Sequence, residues 1–357
     1  MIQPPEHIKA IQPYVPGKPI EELERELGIS NSIKLASNEN PLGPSPGAMK
    51  EIKDSFSDLN RYPDGAGYYL KNALSEMLSI SPDELILGNG SNELLDIAAR
   101  TYLQAGDEAV MASPSFVVYG MAVQSVGGRS IQVPLKDYRH DLEAMADAIT
   151  PKTKMMFIAN PNNPTGTINT KDEFDSLMEK VTDDMLVVVD EAYYEYVSAS
   201  DYADSMKHFR ADRNLLILRT FSKIYGLAGL RIGYGIAKKD ILTDMNRLRE
   251  PFNTNSLAQK AALAALRDTE HVANSRKTND TGREYLYKEL STLGISYVPT
   301  EANFIYMPIK DSISINNSLM KRGVIIRPMG PKAIRVTIGL PEENRRFIQA
   351  LTEVISS

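Results

Sequence analysis

Residues 219 to 233, RTFSKIYGLAGLRIG, set two hydroxyls (Thr220 and Ser222), a lysine (Lys223), a glycine-rich stretch and Arg231 directly behind an apolar run, Leu215 to Leu218. A lysine amine is the side chain that condenses with carbonyl compounds to form Schiff bases. Hydroxyls and a guanidinium beside it make a receptor for an anionic group. An apolar run of this length reads as a buried strand, and open α/β sheets bind their ligands at the end of such strands. A surface lysine following a strand fits the same letters, so the rest of the chain has to decide.

Three other stretches place polar residues at strand ends. In LILGNGSNELL, a short apolar strand from Leu85 runs through Gly88-Asn89-Gly90-Ser91-Asn92 into a helix. The free N–H groups and positive dipole end of such a helix bind phosphate. The turn lacks the P-loop lysine and the glycine spacing of dinucleotide sites. The strand Met155 to Ala159 opens into NPNNPTG, a loop whose three asparagines include Asn163. In VVVDEAYYEY a wholly apolar strand ends on Asp190, with Tyr193 close behind. A carboxylate there is costly unless it is paired or bound to something. Phe116 and Tyr119 follow a fourth strand in a Pro-containing loop, where an aromatic ring serves either the core or a planar ligand. Asn38, Glu39 and Asn40 precede two proline turns, and Tyr62 opens the polar loop RYPDGAG.

These residues need a scaffold, and length and composition bound it. A chain of 357 residues is long for one domain, and 42% hydrophobic with 24% charged residues is ordinary for a globular enzyme. A net charge of −6 gives no support for nucleic-acid binding. There is no cysteine, which excludes disulfides and thiolate chemistry. The four histidines, His7, His140, His208 and His271, have no ligand spacing, so no metal site is expected. The N-terminus lacks the basic start and apolar core of a signal peptide, and no apolar run reaches membrane-spanning length. A cytoplasmic location is the expectation.

Residues 1–30 read as an extended arm, with Pro4, Pro5, Pro13, Pro16 and Pro19, followed by a short helix ending at Gly28. Strand, loop and helix alternate through residues 80 to 240. This predicts an α/β fold whose large domain, residues 31–250, holds a mostly parallel sheet flanked by helices. Residues 251–357 change character. Helical, charged residues 256 to 292 lead to short strands in GISYVPTEANFIYMPI, GVIIRP and IRVTIGL, and to a final helix, PEENRRFIQALTEVI. They predict a smaller α+β domain.

A lysine for a Schiff base, an anion at a strand end, asparagine and tyrosine donors, an aromatic ring and a phosphate-binding turn are the roles that pyridoxal 5'-phosphate requires. The chain resembles the fold-type I aminotransferases, and within them the histidinol-phosphate aminotransferase family. The resemblance spans essentially the whole chain and rests on PYVPGKPIEEL, KLASNENPLGPSP, RYPDG, GNGSNE, NPNNPTG, VVVDEAYYEY, RTFSKIYGLAGLRIGY and GVIIRP with IRVTIG. It implies that Lys223 forms the Schiff base and then carries the proton between substrate and cofactor, and that Asp190 pairs with the pyridinium nitrogen. Asn163 and Tyr193 would bond the ring oxygen. Phe116 would stack on the ring, where relatives often carry tyrosine or tryptophan, with Tyr119 as the alternative. Ser91, Asn92, Thr220, Ser222 and Arg231 would hold the phosphate, and Tyr62 would reach the phosphate in the neighbouring subunit of a homodimer. Arg335 and Arg327 would take the substrate's carboxylate or phosphate, with Tyr14, Glu39 and Asn40 lining that end.

The implied reaction is a ping-pong transamination of histidinol phosphate and 2-oxoglutarate to imidazole-acetol phosphate and glutamate, in histidine biosynthesis. Relatives acting on phenylalanine and tyrosine, or on both substrate classes, share the pattern. A decarboxylase of the same fold would need the substrate carboxylate, not the α-proton, held for cleavage. A cofactor-sensing transcription regulator would need a DNA-binding domain before residue 31, where the sequence has the proline arm instead.

Overall fold

The computed structural model describes residues 2–356. Twelve strands run in chain order: β1 (Ile33–Lys34), β2 (Leu85–Gly88), β3 (Glu108–Ser113), β4 (Arg129–Pro134), β5 (Thr153–Ala159), β6 (Leu186–Asp190), β7 (Leu215–Thr220), β8 (Gly233–Ile236), β9 (Phe304–Pro308), β10 (Val324–Ile325), β11 (Arg327–Pro328) and β12 (Ala333–Thr337). Seven of them form one sheet in the order β2-β8-β7-β6-β5-β3-β4. All run parallel except β8, which is antiparallel to both of its neighbours. The fold is therefore α/β with the mostly parallel sheet that the sequence predicts.

Strands buried on both faces lose the polar alternation of surface sheets, and β6 and β7 are buried at every residue. Their side chains still alternate in space. Val187, Val189 and Ile217 join the apolar layer on one face, and Leu186, Val188, Leu216 and Leu218 join the layer on the other. Strand order reverses between β3 and β5, so the loops after them diverge and open a crevice at the carboxyl ends of the strands. Ser113, Ala159, Asp190 and Thr220 end their strands at that rim.

Beyond the sheet, the helices Ser256–Arg267 and Thr269–Thr292 lead to the three-stranded antiparallel sheet β11-β12-β9. A third core gathers there from Leu286, Leu290, Ile305, Ile334, Val336, Phe347 and Leu351. The closing helix spans Pro341–Ile355. Four elements escape the sequence pattern. The strand β8 reads GYGI, and glycines mask its strand character. The edge strand β4 is largely open to solvent. The helix Ser312–Met320 lies between two strands, and the N-terminal arm contains a single helical turn, Glu6–Lys9. Finally β1, within the range 31–250, pairs in parallel with β10, so the segment after the arm is laced to the C-terminal strands. Among the described residues no helix is long and apolar enough to cross a membrane.

Candidate active site

The crevice is a cleft of about 410 Å³ lined by the ends of β5, β6 and β7, the start of the helix Ser91–Tyr102, the loop after β3, the arm and strands β11 and β12. It brings together Lys223, Asp190, Tyr193, Asn163, Phe116, Ser91, Asn92, Thr220, Ser222, Arg231, Arg327, Arg335 and Tyr14. These come from seven separate stretches of the sequence.

Lys223 stands three residues past β7. Its Nζ donates to the Ser37 carbonyl at 3.2 Å and sits 5.5 Å from the centre of the Tyr193 ring. Burial first, and then the nearby Arg335 guanidinium, lower its pKa to about 8. An amine tuned this way exposes a free lone pair in a far larger fraction of molecules near neutral pH than an ordinary lysine does, and a nucleophile needs that lone pair.

Asp190 is buried at the end of β6. Its Oδ2 accepts from the Tyr119 hydroxyl at 2.8 Å and its Oδ1 from the Ala192 N–H at 3.1 Å. Burial pushes its pKa up, against the pull of those two donors and of the Lys223 charge. The Tyr119 ring is stacked on Phe157 and fully buried, so it faces the core and steadies the carboxylate. Phe116 meets Tyr119 edge-on and keeps an open face in the cleft.

The anion end is built from the turn Gly88 to Ser91. No side chain caps the helix Ser91–Tyr102, so its first N–H groups are left for a ligand. Arg231 lies across this terminus and donates to the Ser222 Oγ and to the Ala228 carbonyl, both at 3.2 Å. A Cβ on Gly90, whose φ is +75°, would stand 2.4 Å from the Arg231 Nη2. A Cβ on Gly233 would stand 2.5 Å from the Ser91 backbone nitrogen. Gly233 is therefore required by close approach of backbone, and Gly90 by its left-handed φ. Thr220 Oγ1 accepts from the Ser222 N–H at 3.1 Å and completes the pocket floor.

At the opposite end Arg327 and Arg335 face each other across the β11–β12 ladder. Like charges directly opposite on a sheet destabilise it. Arg335 donates from Nη1 to the Asn163 Oδ1 at 2.6 Å and from Nη2 to the Ala36 carbonyl at 2.8 Å, while its Nε is buried with no partner. Arg327 donates to the Val15 carbonyl at 2.8 Å and lies 5.6 Å from the centre of the Tyr14 ring. Lys223, Arg231, Arg327 and Arg335 thus take only neutral oxygens as partners among the described residues.

Three sequence candidates fall outside the cleft. Asn40 is buried, donating to the Ile224 carbonyl at 2.6 Å and to Ser275 Oγ at 2.8 Å, so it ties the loop down and does not line the substrate end. Glu39 pairs with Lys34 at 3.0 Å beside the cleft. Tyr62 is 82% exposed and stacked on Phe252, away from this chain's own cleft. Conversely, Asn38 enters the cleft and donates to the Tyr193 hydroxyl at 2.8 Å. Local sequence marks it only as one more polar loop residue. No group of three His, Asp or Glu among the described residues could hold a metal ion.

This donor set fits pyridoxal phosphate. The uncapped helix end with Arg231 suits a phosphate, the buried Asp190 carboxylate suits a cationic ring nitrogen, and the open face of Phe116 suits a planar ring. Asn163 and Tyr193 have their acceptor oxygens filled by Arg335 and Asn38, leaving N–H and O–H groups to donate to a ring oxygen.

Comparison with known proteins points the same way. Residues 30–351 match the sequence profile of the family described as aminotransferase class I and II. A protein of Moorella thermoacetica named histidinol-phosphate aminotransferase is 52% identical over 357 residues, covering 98% of this chain and 92% of that one. Histidinol-phosphate aminotransferase 2 of Hydrogenovibrio crunogenus is 47% identical, with 98% and 96% covered. Among solved structures, histidinol-phosphate aminotransferase from Sinorhizobium meliloti in complex with pyridoxal-5'-phosphate superposes with a TM-score of 0.91 at 28% identity, over 98% of this chain and 97% of that one.

Proposed function

The chain belongs to the class I and II aminotransferase family, and from that premise we propose that it transfers the amino group of histidinol phosphate to 2-oxoglutarate. The products are imidazole-acetol phosphate and glutamate, made in two alternating half-reactions that serve histidine biosynthesis. Pyridoxal 5'-phosphate is the cofactor. When bound it supplies an electron sink and carries the amino group between the half-reactions.

One observation carries the reading: Lys223 and three guanidiniums, Arg231, Arg327 and Arg335, meet in one cleft, and none of the four makes a salt bridge with a carboxylate among the described residues. Two anionic groups account for them. Ser91, Asn92, Thr220, Ser222 and Arg231 would hold the cofactor phosphate. Arg327 and Arg335 would hold the substrate's phosphate in one half-reaction and a carboxylate in the other, since a guanidinium grips either with two parallel bonds. Asp190 would hold the ring nitrogen, Asn163 and Tyr193 the ring oxygen, and Phe116 the ring face. Lys223, with its pKa lowered to about 8, takes and returns the substrate's Cα proton. Tyr14, on the arm beside Arg327, would line the substrate end.

We also propose a cytoplasmic homodimer. Tyr62, Tyr68, Tyr69, Phe56, Leu59 and Phe252 form an exposed apolar group, with Tyr69 73% exposed. A patch of this kind marks an interface. Tyr62, 82% exposed in that group, would reach the cofactor phosphate of a partner subunit.

The test is a half-reaction. Cofactor-loaded protein is mixed with histidinol phosphate, and separately with phenylalanine, while the visible absorption of the cofactor is followed. Rapid bleaching by histidinol phosphate and slow bleaching by phenylalanine is the expected result. Equal rates would reassign the enzyme to aromatic amino acids, and no bleaching by either would overturn the reaction.

A further inference from the structure

Residues 35 to 38 form a strap across the cleft, fastened chiefly to β12, with further bonds from the Leu35 N–H to the Ile325 carbonyl and from Lys223 to the Ser37 carbonyl. The Thr337 N–H donates to the Leu35 carbonyl at 2.8 Å, and Arg335 donates to the Ala36 carbonyl. The Asn38 N–H donates to Thr337 Oγ1 at 2.9 Å, and the Thr337 hydroxyl lies 3.3 Å from the Asn38 Oδ1. Asn303 adds a bond to the Asn38 carbonyl at 3.0 Å. These contacts hold Asn38, buried, at φ +56°. That is the left-handed region, which asparagine tolerates better than most side chains. The Asn38 amide is left with one task, donating to the Tyr193 hydroxyl at 2.8 Å.

A phenol oxygen that accepts a hydrogen bond is a better donor through its own O–H, because bonds in a chain polarise one another. It is also turned, since the accepting lone pair and the O–H cannot share a direction. We propose that Asn38 is a positioning residue: it aims and strengthens the Tyr193 O–H toward the cofactor's ring oxygen. Because Thr337, two residues beyond Arg335 on the same strand, holds Asn38 in place, capture of the substrate anion at Arg335 is mechanically linked to that bond. Arg335 also holds the strap directly through the Ala36 carbonyl at 2.8 Å, two residues before Asn38, so a shift of its guanidinium toward an anion would be felt at Asn38. The inference rests on the cofactor reading above.

A donor to the ring oxygen stabilises the deprotonated form of the bound cofactor's chromophore and lowers its pKa. The charged groups facing Tyr193 are Lys223, Asp190 and Arg335, and all three remain in the variants below. The experiment is a pH titration of the visible absorption of protein loaded with pyridoxal phosphate. Asn38→Gly keeps the left-handed backbone and removes the amide. Its midpoint is expected to rise by about half a pH unit or more, the equivalent of one modest hydrogen bond. In a Tyr193→Phe background, Asn38→Gly is expected to add nothing, because the route through the phenol is gone. Thr337→Val, which keeps volume and removes the hydroxyl, should shift the midpoint in the same direction by less, and carries the test if Asn38→Gly does not fold. A midpoint unmoved in Asn38→Gly, or moved equally with and without the Tyr193 hydroxyl, would overturn this inference alone. No visible band on loading the wild type would overturn the cofactor reading as well.

Discussion

Replacing Lys223 by methionine should abolish transamination and at the same time stabilise the cofactor-free protein. In the unfolded chain this amine holds its proton up to about 10.5; in the cleft, burial and the Arg335 and Arg231 guanidiniums bring it to about 8. Between those values the unfolded state carries more protons than the folded one, so stability rises with pH across that window. Below about pH 8 both states are protonated and the penalty is complete. At 1.36 kcal/mol per pH unit the difference amounts to about 3 kcal/mol. Water in the open cleft screens part of it, and the lost bond to the Ser37 carbonyl subtracts a little more. The expected gain for Lys223→Met is about 1–2 kcal/mol near pH ~7, a rise in melting temperature of about 1–3 °C for a chain of this length. Thermal melts of cofactor-free wild type and variant, run near pH ~7 and again near pH ~10, provide the assay. The gain should shrink at the higher pH, where the wild-type amine has lost its proton. A variant no more stable than wild type near neutrality, or a gain of equal size at both pH values, would refute the reasoning.

Three further outcomes follow from the same geometry. Tyr119→Phe leaves the buried Asp190 with only the Ala192 N–H, so affinity for pyridoxal phosphate should fall about tenfold, for a bond of about 1.4 kcal/mol to a charged group. Fluorescence titration of the cofactor-free protein measures it, and an unchanged affinity would remove Tyr119 from the site. Glu191→Gln breaks the buried pair with Arg219 at 2.8 Å and should cost about 3–5 kcal/mol in denaturant unfolding; a loss under about 1 kcal/mol would mean that solvent reaches the guanidinium. Gly233→Ala drives a methyl to 2.5 Å from the Ser91 nitrogen and 2.9 Å from the Arg219 carbonyl, so about 1–3 kcal/mol of stability should go, along with cofactor affinity, because the helix N-terminus must move.

The central sheet was legible because its strands are apolar along their whole length and each ends on a turn residue. Asp190 is the clearest case: an acid at the end of the buried strand LVVVD has no role in a core, and the fold supplies it with a tyrosine partner. The strand β8 was not legible, since GYGI has too few side chains to show a period, and its glycines are set by what crosses them, including the Ser91 turn. The same limit applies to β1 and β10, two residues each, which exist only because they find one another across the chain.

Lys223, Asp190, Asn163 and Arg335 each sit in a stretch whose local composition is odd for a structural role, and that oddness is what sequence can register. Asn38 and Asn40 stand in one tetrapeptide, SNEN, with the same side chain, and nothing local separates them. The structure does so by partners 155 to 299 residues away for Asn38, and 184 and 235 away for Asn40. Backbone geometry decides the difference: Asn38 at positive φ turns its amide inward to Tyr193, while Asn40, past the turn, spends its amide on the Ile224 carbonyl and Ser275. A cleft assembled from seven stretches keeps its cations free of salt bridges only if the residues between them are tied down this firmly. Otherwise Arg327 and Arg335, opposed on one ladder, would swing apart to find carboxylates. The ties that look merely structural are therefore what keeps the charge available for a ligand.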